Sequence, residues 1–477
     1  MHSYIEKEKR KKILLISDDI RTHSGVATIS REIIVNSAHV YNWICIGGLQ
    51  AHPDKGVRFD MSISVNEVAN LKDSWVHSIA VDGYGDDDLV KFLIKTEKPD
   101  ALLIITDPRY YGWLFSVERE IRTQIPIIYY NIWDDLPLPM YNKPFYESCD
   151  ALLAISKQTL NINKLVLKEK AVDKHISYVP HGINHKAFYP LVIETKEYLE
   201  FKNKLFGGKK LDFTLLWNSR NIRRKSPADV LLSFKLFCDK LSNDEIKKVG
   251  LVLHTDPIDN NGTDLIAVKD MLFGDDSKYN IIFTNSKYGV EDMNFLYNSV
   301  DASILISSNE GWGLSLTESM MTGRMIIGNV TGGIQDQMRF EDEDGNWINF
   351  NETFQSNHRG RYKKCGKWAI PVFPSNISLL GSPPTPYIFD DRVDPHEVAD
   401  KIYEVYKIPL EERLENGLAG RAWAISEEAK MRSIDMADGI IDGIEATLKN
   451  VKKRNRFDVI KVKKLENKHY QKYPISL

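Results

Sequence analysis

Three observations predict two α/β domains with mainly parallel sheets. The chain has 477 residues, more than one ordinary hydrophobic core organises. Short apolar runs alternate with helical stretches over most of its length, the pattern of strands covered by helices on both faces. One stretch, Ser307 to Gly323, leads from an apolar run through a glycine-rich turn into a helix start, which is how such folds offer backbone N–H groups to an anion. The division expected is 1–200 for the first domain, 201–425 for the second, 426–450 for a last helix and 451–477 for a basic tail.

Taken in order, Lys12 to Ser17 predicts a buried first strand, Asp18 to Gly25 a loop and Val26 to Val35 a helix. Strands follow at Asn42 to Gly47, Ala101 to Ile105, Ile125 to Ile132 and Ala151 to Ile155. Helices are expected at Leu89 to Lys95, at Tyr110 to Ile121, and after Ser156, which has the place of an N-cap. Glu194 to Lys210 is charged and predicts a helical interdomain connection. The second series runs through Phe213 to Trp217, a helix around Val230 to Phe237, strands Leu251 to His254 and Ile281 to Thr284, and a helix Glu291 to Ser299. Ala302 to Ile306 then leads into the central stretch, and Arg324 to Val330 is the next strand. Ser315 and Glu318 have the S-x-x-E spacing that opens a helix. Pro395 to Val405 and Arg421 to Leu448 are expected helices.

Composition narrows the function classes. A net charge of −3 gives no global argument for binding nucleic acid or an anionic membrane, so any such contact needs a local patch. The four cysteines (Cys45, Cys149, Cys238, Cys365) form no C-x-x-C and are expected to be reduced thiols. No apolar run approaches the ~20 residues of a membrane-spanning helix, and Met1 to Lys12 lacks a signal-peptide core; the expected location is the cytoplasm. No metal-ligand cluster stands out. The tail from Lys449 carries ten Lys/Arg against two acids, either a solvated end or a phosphate contact.

Glu310 and Glu318 bracket the turn Gly311-Trp312-Gly313-Leu314. Taken alone, Glu318 fits a capping acid and Glu310 a solvated loop residue as well as a functional pair. A glycosidase pair fits less well: eight helical steps would span ~12 Å, against the roughly 5–9.5 Å such carboxylates need. Arg220 and Lys225 lie in the cation-rich run Asn218 to Lys225 after a strand; taken alone, such a run is more often a solvated or anion-binding loop than a catalytic one. Gly25 closes the loop after the first strand, at the edge where parallel sheets bind ligands. That loop is not G-x-G-x-x-G, which argues against a dinucleotide dehydrogenase.

Glu310-x7-Glu318 with its internal G-x-G resembles the E-x7-E signature of retaining glycosyltransferases of family 4, which have the GT-B fold. Four further segments match in order. They are the Gly25 loop, Val179-Pro180-His181-Gly182-Ile183-Asn184 (V-P-x-G-[IV]-[DN]), Arg220 with Lys225 (R-x4-K), and Thr331-Gly332-Gly333-Ile334 (T-x-x-G-G). The resemblance covers roughly residues 12–450. It implies two Rossmann-like domains facing across a cleft, with the last helix crossing back to the first domain. It implies no cofactor or metal, and a nucleotide-diphosphate sugar, UDP-sugar first among them, as donor. Arg220 and Lys225 would hold the diphosphate and Glu318 the ribose. Glu310 would face the sugar, with Gly25, Gly311, Gly313 and Leu314 lining the donor.

Two departures stand out. Relatives have a histidine near the reacting sugar where this chain has Trp133-Asp134-Asp135, which makes Asp134 a candidate to orient an acceptor, with a turn cap as the alternative. Residues 339–391 form an insertion, expected at the cleft rim. Leu14 to Glu32, Asp107 to Ile121 and Asn131 to Thr159 look like glycosyltransferases of tailed bacteriophages. That likeness points to hydroxymethylated pyrimidine in double-stranded DNA as acceptor, in the host cytoplasm. Lipid or polysaccharide acceptors, and a sugar-nucleotide epimerase of the same fold, remain alternatives.

Overall fold

The computed structural model describes residues 2–133, 135–274, 278–285, 287–351, 357–451 and 454–455. Its frame is two separate sheets. The first holds β1 (Lys11–Asp18), β2 (Tyr41–Leu49), β3 (Arg58–Asp60), β4 (Val76–Asp82), β5 (Ala101–Ile105), β6 (Ile127–Asn131), β7 (Ala151–Ala154) and β8 (His175–Tyr178), in the order β3-β4-β2-β1-β5-β6-β7-β8. Only β3 is antiparallel to its neighbour. The second holds β9 (Phe213–Asn218), β10 (Val249–His254), β11 (Asn280–Thr284), β12 (Ala302–Leu305), β13 (Met325–Asn329) and β14 (Ala369–Val372), ordered β11-β10-β9-β12-β13-β14 and parallel throughout.

Burial explains the strands. Ile13 to Ile16 and Leu102 to Ile104 have no exposed surface, so side chains on both pleat faces are covered by helices. Each such side chain gives ~1.5–3 kcal/mol of transfer free energy. The last helix among the described residues, Ser433–Asn450, packs on helix Gly25–Ser37 of the first half, and Lys11 and Tyr41 both reach its Glu445. Close packing needs glycine there: a Cβ at Gly443 would stand 2.6 Å from Leu153.

Three expectations change. The helix expected at Tyr110 to Ile121 is a 3-10 turn, Pro108–Tyr111, followed by two short helices, Gly112–Ser116 and Glu118–Arg122. Arg421 to Leu448 is two helices, Leu410–Ala424 and Ser433–Asn450, separated by a turn. Residues 339–391 are not an insertion throughout, since β14 is the edge strand of the second sheet. They also carry an antiparallel hairpin, β15 (Asn376–Ser382) and β16 (Thr385–Arg392). The tail beyond Val451 lies outside the described residues except for Arg454 and Asn455. Among the described residues no helix is long and apolar enough to cross a membrane.

Candidate functional site

The carboxyl-edge loops of both sheets meet. Gly25, after β1, faces Leu314, after β12: a Cβ on Gly25 would lie 3.4 Å from Leu314 Cδ1. Two helices therefore begin at one cleft, Gly25–Ser37 and Leu314–Met321.

The start of the second helix is not the capping box that the S-x-x-E spacing predicts. Gly313 is the N-cap, in the left-handed region at φ 87°, and no side chain caps it. The turn excludes a larger residue, because a Cβ there would press to 3.0 Å on Leu305. The first N–H groups of this helix are thus left to a ligand. The turn is braced from behind. Trp312 is buried, its indole donates to Thr317 Oγ1 at 2.9 Å, and Gly333 N donates to Glu310 O at 3.0 Å. A Cβ on Gly333 would fall 2.1 Å from the Gly311 carbonyl, so the 331–334 loop fits against Gly311 only as glycine.

Glu310 is buried, not solvated, at 7% exposure. The Lys225 ammonium contacts its Oε2, and Arg224 Nη1 lies 3.3 Å from the same oxygen. Burial works to raise this carboxyl, but Lys225 and then Arg224 outweigh it and hold it below the usual carboxylate range. Lys225 reaches this point because Arg223–Lys225 makes a tight 3-10 turn, ended by Ser226 at φ 51° and Pro227 at the next helix start. Arg220 stands apart: it is exposed and paired to Asp259 at 2.9 Å. Arg224 is the cation beside Glu310 that sequence reasoning passed over; four cations in a row gave no way to tell which pointed inward.

Glu318 has the opposite environment. It accepts from the Tyr297 hydroxyl, which in turn accepts from Asn218 Nδ2 at 2.8 Å. No cation offsets burial, which pushes its carboxyl up to about 7, although the residue keeps a partly exposed edge. Nothing in the sequence marks Tyr297 as its partner.

His181 sits between the domains, its ring 6.2 Å from Trp312 and its Nδ1 2.9 Å from the Tyr130 hydroxyl. Since that hydroxyl donates to Val179 O at 2.9 Å, Nδ1 carries the proton and Nε2 is an acceptor. Burial pulls His181 down to about 3, so it is neutral.

The β15–β16 hairpin spans the cleft. At its base, Asp391 N donates to Ser308 O at 2.8 Å, and Asp390 accepts from Asn309 at 3.1 Å. Toward its tip, Phe389 N donates to Leu136 O at 2.8 Å, and Arg109 donates to Pro384 O at 2.8 Å. It thus ties the loop carrying Glu310 to the first domain. Nearby on that domain, Tyr110 is 62% exposed beside Tyr84, and Arg109 lies over Trp133. Asp134 lies outside the described residues. No group of three or more candidate metal ligands occurs among the described residues.

Two α/β halves with mainly parallel sheets, meeting edge-on at one cleft, define the GT-B fold. Solved structures carry the same likeness. The chain is similar to the sucrose-phosphate synthase of Thermosynechococcus elongatus (TM-score 0.63, 14% identity, 93% of this chain and 100% of that one). It is also similar to Anabaena HepE in complex with UDP and glucose (0.60, 10%, 92% and 100%) and to an α,α-trehalose 6-phosphate synthase from Burkholderia multivorans (0.58, 11%, 92% and 98%). At these identities the likeness is one of fold. No family profile and no curated protein sequence matches the chain.

Proposed function

We propose that this protein is a retaining glycosyltransferase that moves a sugar from a nucleotide-diphosphate sugar, UDP-sugar first, to an acceptor hydroxyl. The observation that carries this reading is the convergence of Lys225, Arg224 and Glu310 with the uncapped helix start at Gly313–Leu314. Anion chemistry is supplied there twice, by cations and by free N–H groups. That HepE is described with UDP and glucose fits the same donor.

In this reading the diphosphate lies against Lys225 and the helix start at Gly313–Leu314, with Gly25 lining the donor from across the cleft. Arg220 swings from Asp259 to join it when donor binds. Glu318, with its Tyr297 partner, receives the ribose hydroxyls, and Glu310 faces the sugar. The bond from the anomeric carbon to the diphosphate breaks, and its electron pair stays on the phosphate oxygen. Lys225 and the helix N–H groups stabilise that charge. The acceptor oxygen bonds the same face of the anomeric carbon, and its proton passes to the departing phosphate. Asp134 is assigned to orienting the acceptor.

The acceptor proposed is hydroxymethylated pyrimidine in phage DNA. The exposed Tyr110 beside Tyr84 gives a rim suited to stacking a flipped base, next to Arg109, which is held by Asp107 and Pro384 O. A mass-spectrometric turnover assay tests this, offering UDP-, GDP- and ADP-sugars with hydroxymethylcytosine DNA or with no acceptor. Nucleotide release with a sugar mass on DNA is the expected result. Release with unmodified DNA overturns the DNA acceptor and directs the search to lipid and glycan hydroxyls. Conversion of donor to an isomeric sugar nucleotide without any acceptor identifies an epimerase. No release from any donor overturns the transferase.

A further inference from the structure

The second sheet has another usable edge. Its carboxyl edge carries the cleft, while its amino edge opens into a separate cavity of about 860 Å3. That volume is within the roughly 300–1,000 Å3 of small-molecule sites. The walls are the connector helix Lys196–Leu205, the start of helix Leu410–Ala424, and the residues entering β9, β12 and β13. A strand's length separates the cavity from the donor turn, so no one ligand of ordinary size occupies both.

Arg324, immediately before β13, faces this cavity. Its Nη2 donates to Asn298 O at 3.0 Å, but its Nε is buried and bonds nothing. Among the described residues no carboxylate comes within 4.0 Å of the guanidinium. The adjacent acid, Asp301, is taken by Arg413 at 3.0 Å and by Thr214 N at 2.8 Å. A guanidinium brings five fixed donors, and burying one without an acceptor is unfavourable unless an acceptor arrives. Lys202 and Lys210 line the same cavity, and the Lys202 ammonium lies over the Tyr198 ring with its nearest carboxylate, Glu194, at 3.9 Å. Asp212, the remaining acid, is met by Lys248 at 3.6 Å. The charge left facing the cavity is positive.

We propose that this cavity binds a phosphate-bearing small molecule, gripped by the Arg324 fork with Lys202 and Lys210, and that its occupancy tunes the donor cleft. The route is short. Asn298 O accepts from both Arg324 and Tyr198 of the connector helix, the latter at 2.9 Å. The preceding residue, Tyr297, bonds Glu318. A phosphate drawing Arg324 toward itself acts on the carbonyl that fixes the connector and on the chain segment that carries the Glu318 partner. The binding site is independent of the transferase reading; only its effect on the cleft rests on it.

Isothermal titration calorimetry on the full chain, with inorganic phosphate and with glucose 6-phosphate, tests the proposal. Binding is expected in the natural protein and in Lys225→Ala, whose donor cleft is disabled. It is expected to weaken about tenfold or more in Arg324→Gln, since one charge-assisted fork is lost. Should Arg324→Gln fail to fold, the exposed Lys202→Gln decides, with an affinity loss of roughly threefold expected. No binding of either ligand overturns the site. So does binding that vanishes in Lys225→Ala yet persists in Arg324→Gln, or an unchanged affinity in Lys202→Gln. An inactive protein that still binds phosphate through Arg324 would sink the transferase and leave this site standing.

Discussion

The two helix starts that face each other at the cleft, after β1 in the first sheet and after β12 in the second, are built with opposite polarity. In the first domain Ser24 caps the helix, accepting from Ala27 N at 3.0 Å and donating to Asp18. Asp18 also accepts from the Tyr84 hydroxyl at 2.7 Å. That turn is satisfied from within and carries an acid. In the second domain Gly313 forgoes a side-chain cap, worth ~1 kcal/mol to a helix, and two cations, Lys225 and Arg224, stand nearby on the single buried acid Glu310. An uncapped start beside cations suits a diphosphate. A capped start beside an acid suits a neutral hydroxyl. The difference supports the proposed placement of donor on the second domain and acceptor on the first.

Lys225→Ala breaks this contrast most severely. It leaves Glu310 buried with only Arg224 at 3.3 Å. Urea unfolding should show a loss of about 3 kcal/mol, the low end for breaking a buried pair, because Arg224 remains. Turnover of a UDP-sugar should fall ~10²–10³-fold, as when one preorganised charge stabiliser is removed. A variant that keeps both stability and turnover would mean that the cationic second turn is not the donor site.

The two glutamates sharpen the comparison through pH. In the proposed reading Glu318 binds a ribose diol as the charged acceptor, yet burial raises it to about 7 beforehand. UDP-glucose affinity should therefore rise as pH increases through 7 and fall below it, by up to about tenfold per unit. Stability runs the other way. With the folded value above the unfolded one, the protonated carboxyl stabilises the fold at low pH, and this is lost as pH rises toward 7. Glu318→Gln should flatten the affinity profile and raise the melting temperature at pH 8 by ~2 °C, with less gain at pH 5. Glu310, held low by Lys225, should stay charged over this range. An affinity profile that persists in Glu318→Gln would assign the titration to another group.

The parts of this arrangement visible in the sequence are those fixed by local rules. Ala101 to Ile105 reads as a buried strand because an apolar run between turn signals can do little else in an α/β protein, and Ser156 reads as a cap because its hydroxyl needs only Thr159 N. The region 51–82 was silent. Val76–Asp82 mixes His77 and Ser78 among its apolar residues, and its pairing with Tyr41–Leu49 is what makes it a strand. In the β15–β16 hairpin β15 is mostly exposed, and β16 is held by Leu136 and Ser308 and the tip by Arg109, all distant in sequence. At the site, the E-x7-E spacing located both glutamates but not their states. Those depend on Lys225 and Tyr297, 85 and 21 residues away along the chain. The S-x-x-E spacing of Ser315 and Glu318 suggested a capping box, and Gly313 took the cap position instead.

Ser24→Ala should have the smallest effect and is the most discriminating of the three. Removing the hydroxyl costs helix Gly25–Ser37 its cap bond to Ala27, ~1 kcal/mol. It also frees Asp18 from one of its two hydroxyl partners, leaving Tyr84. Neither change touches the Lys225 side of the cleft, so calorimetry should find UDP-glucose affinity within about a factor of two of the natural protein. Turnover with a saturating donor should fall by more than binding does, because Asp18, on the proposed acceptor side, loses one of the two hydroxyls that fix its carboxylate. An affinity loss comparable to that of Lys225→Ala would show the diphosphate resting on both helix starts at once. The division of donor and acceptor between the two turns would then have to be given up.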